Sequence, residues 1–181
     1  MHPLSLLRVL LGRVASVVCE QAKPYPTRST PQGPRPVEVY DIACALFRLE
    51  SGITGVLAID RSAWGRKGRL QIQIFGSKGS IVFDQERFNE LQLFVTSDRA
   101  SEQGFRTILS SPAHEPFGRF HPGAGHGLGF NELKVIECHE LLRGIAGQPA
   151  HVIDFDEGLE IERTVHAMAR SHEQRSWVDV R

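Results

Sequence analysis

Residues 39–49 read VYDIACALFRL. Apolar side chains occupy both alternating sets of this run. Ala43, Ala45, Phe47 and Leu49 form one, and Ile42, Cys44 and Leu46 form the other. A strand with two apolar faces belongs inside a sheet, with helices over one face and other cover on the second. Working outward, Ser51-Gly52 makes a turn and residues 53–59 return as the next strand. Upstream, residues 14–22 are rich in β-branched side chains and read as a strand. Residues 23–36 carry five prolines with Ser, Thr and Gly, which predicts a loop. Downstream, Leu70, Ile72 and Ile74 alternate with Gln71 and Gln73, the period of a half-buried strand. A short hairpin loop at 76–79 leads back through 80–84, and 91–95 and 105–109 add two more strands.

The last third changes character. Residues 110–129 are polar, irregular and rich in Gly, Pro and His, and a connection that long is a candidate site lining. Residues 131–146 follow as a helix with Val135, Cys138, Leu142 and Ile145 on one face. Asp154 and Glu157 form the signature of a capping box opening a second helix, whose stripe is Ile161, Val165 and Met168. Residues 156–162 read as its solvated acidic face, and 177–180 close the chain as a short strand. Strands followed by helices predict an α+β fold: an open, largely antiparallel mixed β-sheet with helices on one face, as one domain over 1–181.

Residues 1–20 superficially resemble a secretory signal, but Arg8 interrupts the apolar stretch and no basic segment precedes it. Val18 before Cys19 also fits lipoprotein processing poorly. Pro3 suits the first turn of a helix. Leu4, Leu7 and Leu11 recur at helical spacing, and Gly12 stops the helix, so residues 3–11 are predicted helical. A helix with no strand before it leads us to expect a preceding segment.

The 181 residues contain 21 Lys+Arg and 21 Asp+Glu, a formal net charge of zero, which argues against nucleic acid or an anionic membrane as partner. Three scattered cysteines exclude a disulfide scaffold and a four-thiolate zinc site. Cys44 and Cys138 read as buried reduced thiols, so a cytoplasmic location is expected. The glycines of 123–129 miss the G-x-G-x-x-G spacing and follow no strand, so they are read as a flexible loop before a helix. Among eight histidines, His114, His121 and His126 share one segment, yet no metal-ligand spacing appears and no metal is expected. A histidine there can instead hydrogen-bond a sugar hydroxyl. His2 opens a helix, where the positive dipole end disfavours imidazolium, and a neutral ring can accept or pass a proton. Trp64 beside Arg66 offers an aromatic face with an adjacent cation, suited to sugars or carboxylates.

Taken in order, the segments HPLSLLRVLLG at 2–12, GRKGRLQIQIFGSKGSIVFD at 65–84, GHGLGF at 125–130 and DFDEGLEIERTVHAMARSHEQRSWVDV at 154–180 resemble the C-terminal domain of the Gfo/Idh/MocA oxidoreductases. The resemblance implies a substrate-binding and oligomerisation domain, with helix 3–11 as a remnant of the interdomain region. It implies that an N-terminal Rossmann domain, absent here with its E-K-P lysine, binds NAD or NADP. The substrate implied is a sugar, cyclitol or related polyol, oxidised by hydride transfer, and the partner is a second copy through the sheet's free face. His2 matches the family's catalytic histidine, whose companion aspartate would precede residue 1, so this chain alone is expected to be inactive. Asp60, Arg61, Trp64, Arg66, His121 and His126 are the candidate substrate contacts, because they lie on strand ends or loops. The alternative is a non-catalytic sugar-binding or scaffold dimer module, motivated by the doubly apolar strand 39–49.

Overall fold

The computed structural model describes residues 2–181. It divides into two compact units, Met1–Gly65 with Ile153–Arg181, and Arg66–Val152.

The first unit is built on β1 (Val14–Ala22), β4 (Ile42–Leu49), β5 (Thr54–Asp60) and β10 (Val178–Asp179). They form one antiparallel sheet in the order β10-β1-β4-β5. Helices α1 (His2–Leu11) and α3 (Phe155–Gln174) supply the other side of its core. Leu4 and Leu7 of α1 and Ile161, Ala167 and Met168 of α3 are buried with Val17, Cys19, Ala45, Phe47 and Leu49. Gly12, at φ 100, ends α1 by donating its N–H to the Arg8 carbonyl. Opposite Phe47 in the register stands Gly55, and the Phe47 ring lies over it where any Cβ would collide.

The strand at 39–49 is internal, as its composition predicts, but only one of its faces is covered. Ala45, Phe47 and Leu49 are buried, whereas Cys44 is exposed and Leu46 is 49% exposed. Val18, Leu46 and Val56 stand in one cross-strand row on that open side. The other cover that the composition calls for is not supplied among the described residues, and the expected burial of Cys44 is corrected.

Residues 23–36 are a second correction. They contain a two-stranded ribbon, β2 (Thr27–Thr30) and β3 (Gly33–Pro36), not a plain loop. A ribbon gives each strand a free edge, and proline is tolerated where no partner needs its missing N–H. Gly33 at φ 103 turns the ribbon, and the Thr30 hydroxyl donates to its carbonyl at 2.7 Å.

The second unit is a meander of β6 (Gln71–Phe75), β7 (Gly79–Asp84), β8 (Glu90–Val95) and β9 (Arg106–Leu109), paired antiparallel in chain order. One face carries the row Ile72, Phe83, Leu91 and Ile108, and the other carries Gln73, Val82, Gln92 and Thr107. The α+β class and open antiparallel sheets match expectation, with the strands shared between two four-stranded sheets. Helix α2 (Phe130–Ile145) follows the 110–129 segment. Its stripe of Val135, Cys138, Leu142 and Ile145 is exposed, and Glu140 is its one buried residue. The Glu140 carboxylate accepts the His151 N–H at 2.9 Å and meets Arg143 at 3.3 Å, so a buried charge is matched locally. The expectation of a buried Cys138 is corrected accordingly.

Among the described residues, no helix is long and apolar enough to cross a membrane.

Candidate functional site

In the first unit His2 is the exposed first residue of α1. The helix that carries it is fixed at its far end by Arg8, whose guanidinium grips both carboxylate oxygens of Glu157 and lies 3.9 Å from Glu160. Asp154 caps α3 by accepting the Glu157 N–H at 2.9 Å. Among the described residues, the Glu157 carboxylate does not complete the box, because Arg8 holds it instead. The acidic run at 156–162 is thus partly inward-facing rather than a wholly solvated face. The hydrogen bond from Arg8 holds the Glu157 carboxyl below the usual carboxylate range.

That shift has a signed consequence. A carboxyl lowered in the folded state stabilises the fold above its unfolded value of about 4.3 and loses that contribution as pH falls through the folded value. Melting temperature is expected to drop on acidification below that point. Glu157→Gln is expected to flatten the drop, as read by thermal melts across acidic buffers. Identical slopes for both proteins would contradict the role of the pair.

Asp60 ends β5, and its carboxylate accepts from the Ser62 N–H at 2.7 Å and the Ser62 hydroxyl at 2.6 Å. Those bonds hold Asp60 below the usual carboxylate range, so it stands ionised. Arg61 is exposed and donates its N–H to the Asp41 carbonyl at 3.0 Å. Trp64 stands almost fully exposed on the following turn. Asp41 joins this group and was missed in the sequence, where it was absorbed into the apolar run. Its Oδ1 accepts from Arg28 at 2.7 Å, while Oδ2 is buried without a partner among the described residues. A lone charge at the mouth of an apolar strand was the signal available.

In the second unit Arg66 is already paired. Glu86 accepts from Arg66 at 3.2 Å and from the Lys67 and Gly68 N–H groups at 2.8 and 3.3 Å. The two backbone donors chiefly hold Glu86 low. Arg66 therefore shapes its own turn and offers less free charge than its sequence suggests. His121 and His126 are brought together through backbone. The His121 ring Nδ1 lies 2.7 Å from the His126 carbonyl, so Nδ1 carries the proton and donates. His121 is 8% exposed, and its Nε2 is buried without a partner among the described residues. The His126 side chain is exposed.

Asn89, just before β8, was also missed. It fastens the 110–129 segment: Nδ2 donates to the Leu128 carbonyl and Oδ1 accepts from the Leu128 N–H and the Ser110 hydroxyl, each at 2.9 Å. The 123–129 glycines precede α2, where the Gly129 N–H donates to Glu132 at 2.7 Å. The segment is therefore a helix entrance with one closed clasp.

No group of three or more His, Cys, Asp and Glu side chains is arranged to hold a metal among the described residues. A dinucleotide does not fit what is present either. Its fold needs parallel strands joined by helices that aim N-termini at the pyrophosphate. Every strand pairing among the described residues is antiparallel.

Comparison with known proteins follows the same line. Residues 1–82 match the family model for the GFO/IDH/MocA C-terminal domain. Levoglucosan dehydrogenase from Pseudarthrobacter phenanthrenivorans is 37% identical over 151 residues, which is 82% of this chain and 38% of that protein. The solved levoglucosan dehydrogenase complex with NADH and levoglucosan is similar over 97% of this chain at TM-score 0.90 and 35% identity, covering 47% of its own length. An NAD-binding oxidoreductase from Klebsiella pneumoniae is similar over 98% of the chain at TM-score 0.91 and 32% identity, covering 48% of its length. The chain thus spans about half the length of the solved structures it matches. With its antiparallel sheets and these likenesses, the chain matches the C-terminal domain of the Gfo/Idh/MocA family, by the family model over residues 1–82 and by solved relatives over nearly its whole length.

Proposed function

We propose that this chain is the substrate-binding and oligomerisation half of an NAD(P)-dependent oxidoreductase acting on a sugar, cyclitol or related polyol. One observation carries the reading: the similarity, at 35% identity and over 97% of the chain, to a dehydrogenase solved with NADH and a sugar. The cofactor, held by a nucleotide-binding half, supplies hydride acceptance. This chain supplies the proton side and the seat of the substrate. His2 takes the hydroxyl proton as the carbinol carbon gives up its hydride. In the first unit Asp60 as an ionised acceptor, with Arg61 and Trp64, orients hydroxyls. In the second unit His126 contributes its carbonyl to the His121 ring, and Arg66 orders its turn.

The test places the nucleotide-binding half of the Pseudarthrobacter levoglucosan dehydrogenase ahead of residue 1 and follows NADH formation with sugars and cyclitols. Sugar-dependent NADH formation is expected. A folded fusion that binds NADH yet oxidises none of them would overturn the reading.

The open face around Leu46 and Val56 supports the second part, self-association through the sheet. Light scattering on the purified chain is expected to show a dimer or larger, and Leu46→Asp to shift it to monomer. A wild-type monomer would remove that part. The same face favours the alternative of a non-catalytic scaffold module, which the fusion assay separates by its chemistry.

A further inference from the structure

Helix α1 presents His2 on the side that faces away from its own leucines. At about 3.6 residues per turn, Leu4, Leu7 and Leu11 cluster roughly 170° round the helix from His2, and Leu6 and Val9 flank His2 within about 40°. The exposures agree. Leu4 and Leu7 are buried and Leu11 packs against the core, whereas Leu6 is half-buried and Val9 is 65% exposed. A leucine stripe fixes how deep a helix sits, because depth decides how much apolar surface leaves water. It fixes the roll about the helix axis poorly, because apolar contact has no direction. Roll is what moves His2. With side-chain tips about 5 Å from the axis, a roll of about 20° displaces the ring by about 2 Å.

Arg8 is the directional contact on this helix. It stands about 60° round from the leucine stripe. Its side chain is 12% exposed, and its guanidinium meets both Glu157 oxygens as a planar fork. Glu157 is seated in turn by the cap of α3, where its N–H donates to Asp154 at 2.9 Å. Glu160 lies 3.9 Å from Arg8 and also pairs with Arg163. We infer that Arg8 and Glu157 are positioning residues for His2, setting the roll of α1 rather than the stability of the core, an inference that rests on the function proposed above. The energetics favour that division. A pair taken out of water spends most of its attraction on desolvation, so apolar side chains of similar volume hold a core as well or better. A two-bond fork, by contrast, closes at one geometry. A group that takes a proton from a substrate needs such a geometry, since a misplacement of about 1 Å can cost on the order of 10²-fold in rate. Removing one partner alone strands the charge of the other, so the test replaces both together.

Arg8→Met with Glu157→Leu removes both charges, keeps the volume and leaves Glu160 with Arg163. The melting temperature is expected to stay level or rise. Spin labels at Val9→Cys and His166→Cys, both exposed positions, read the roll of α1 against α3 in a Cys44→Ser, Cys138→Ser background. Cys19 is buried, with burial pushing its thiol up to about 11, so it stays unlabelled. One narrow distance is expected with the pair intact, and a broadened or shifted one without it. In the fusion with the levoglucosan dehydrogenase nucleotide-binding half, the same replacement is expected to lower kcat roughly 10- to 100-fold. KM is expected to move less, and the limb of the pH–rate profile that reports His2 should persist, because the base is misplaced and not removed. Arg8→Lys keeps the charge without the fork; it is expected to fall between, and it carries the same test if the double variant does not fold. An unchanged label distance would overturn the positioning role, as would full kcat alongside a broadened one, and both leave the proposed function standing. A folded wild-type fusion that binds NADH and oxidises no sugar refutes the function, and the positioning role falls with it.

Discussion

His2→Asn in the fusion is expected to lower kcat by about 10²–10⁴-fold, the range attached to losing a positioned general acid–base group. His2 is exposed at the first position of α1 and is not among the core residues. Stability is therefore expected to change little, within about 0.5 kcal/mol. Asparagine keeps a hydrogen-bonding side chain but cannot take the hydroxyl proton. KM is expected to move less than kcat, and the limb of the pH–rate profile that reports a titrating base should disappear. Unchanged kcat with an unchanged profile would remove His2 from the reaction and leave it as an exposed helix terminus. The measurement is a steady-state rate series across neutral pH for both fusions.

Leu49→Ala is expected to destabilise the chain by about 2–5 kcal/mol, the range for truncating a fully buried leucine. Leu49 is 1% exposed at the end of β4, opposite Val14 in the register, inside the core shared with α1 and α3. Leu46→Ala is the control. It lies on the same strand but on the open side, so in dilute protein its loss is expected to stay near 1 kcal/mol or less, the scale of a surface change. Urea unfolding of both variants reads the difference. Equal losses would mean that β4 is covered on both faces, contrary to the exposure of Leu46 and Cys44. If the Leu46 loss grows with protein concentration, the added cover comes from another copy.

These contrasts mark what can be read from the chain. The β-branched run at 14–22 and the Asp154 cap were legible because their causes are local: strand propensity in one, a side chain three residues from the N–H that donates to it in the other. Helix α1 was legible for the same reason, with Leu4 and Leu7 buried and Gly12 in the left-handed region. The outer faces of β4 and α2 were not. An apolar stripe states that a surface favours burial, but not whether the cover belongs to the same polypeptide. Cys44 and Cys138 were misplaced by that one ambiguity. The ribbon at 27–36 was hidden because prolines argue against strands in general, yet edge positions accept them.

The candidate site was legible by residue type more than by partner. His2 and His121 were singled out by chemistry, and Asp60 by its place at a strand end. Their settings depend on residues distant in sequence: Arg8 with Glu157 fixing α1, and Asn89 with Leu128 fixing the 110–129 segment. Arg66 looked like a free cation because Glu86, its acceptor, lies 20 residues away. Asp41 went unnoticed since its neighbour Arg28 sits on the far side of a proline-rich stretch.

The DNA immediately upstream of codon 1 decides whether this domain is made with a cofactor half. An open frame continuous with His2, encoding a G-x-G-x-x-G turn after a strand, an E-K-P lysine and an aspartate shortly before the histidine, is the expected finding. In-frame stop codons behind a ribosome site, with no such half encoded beside it, would contradict the assignment of this chain to the substrate side of a dehydrogenase.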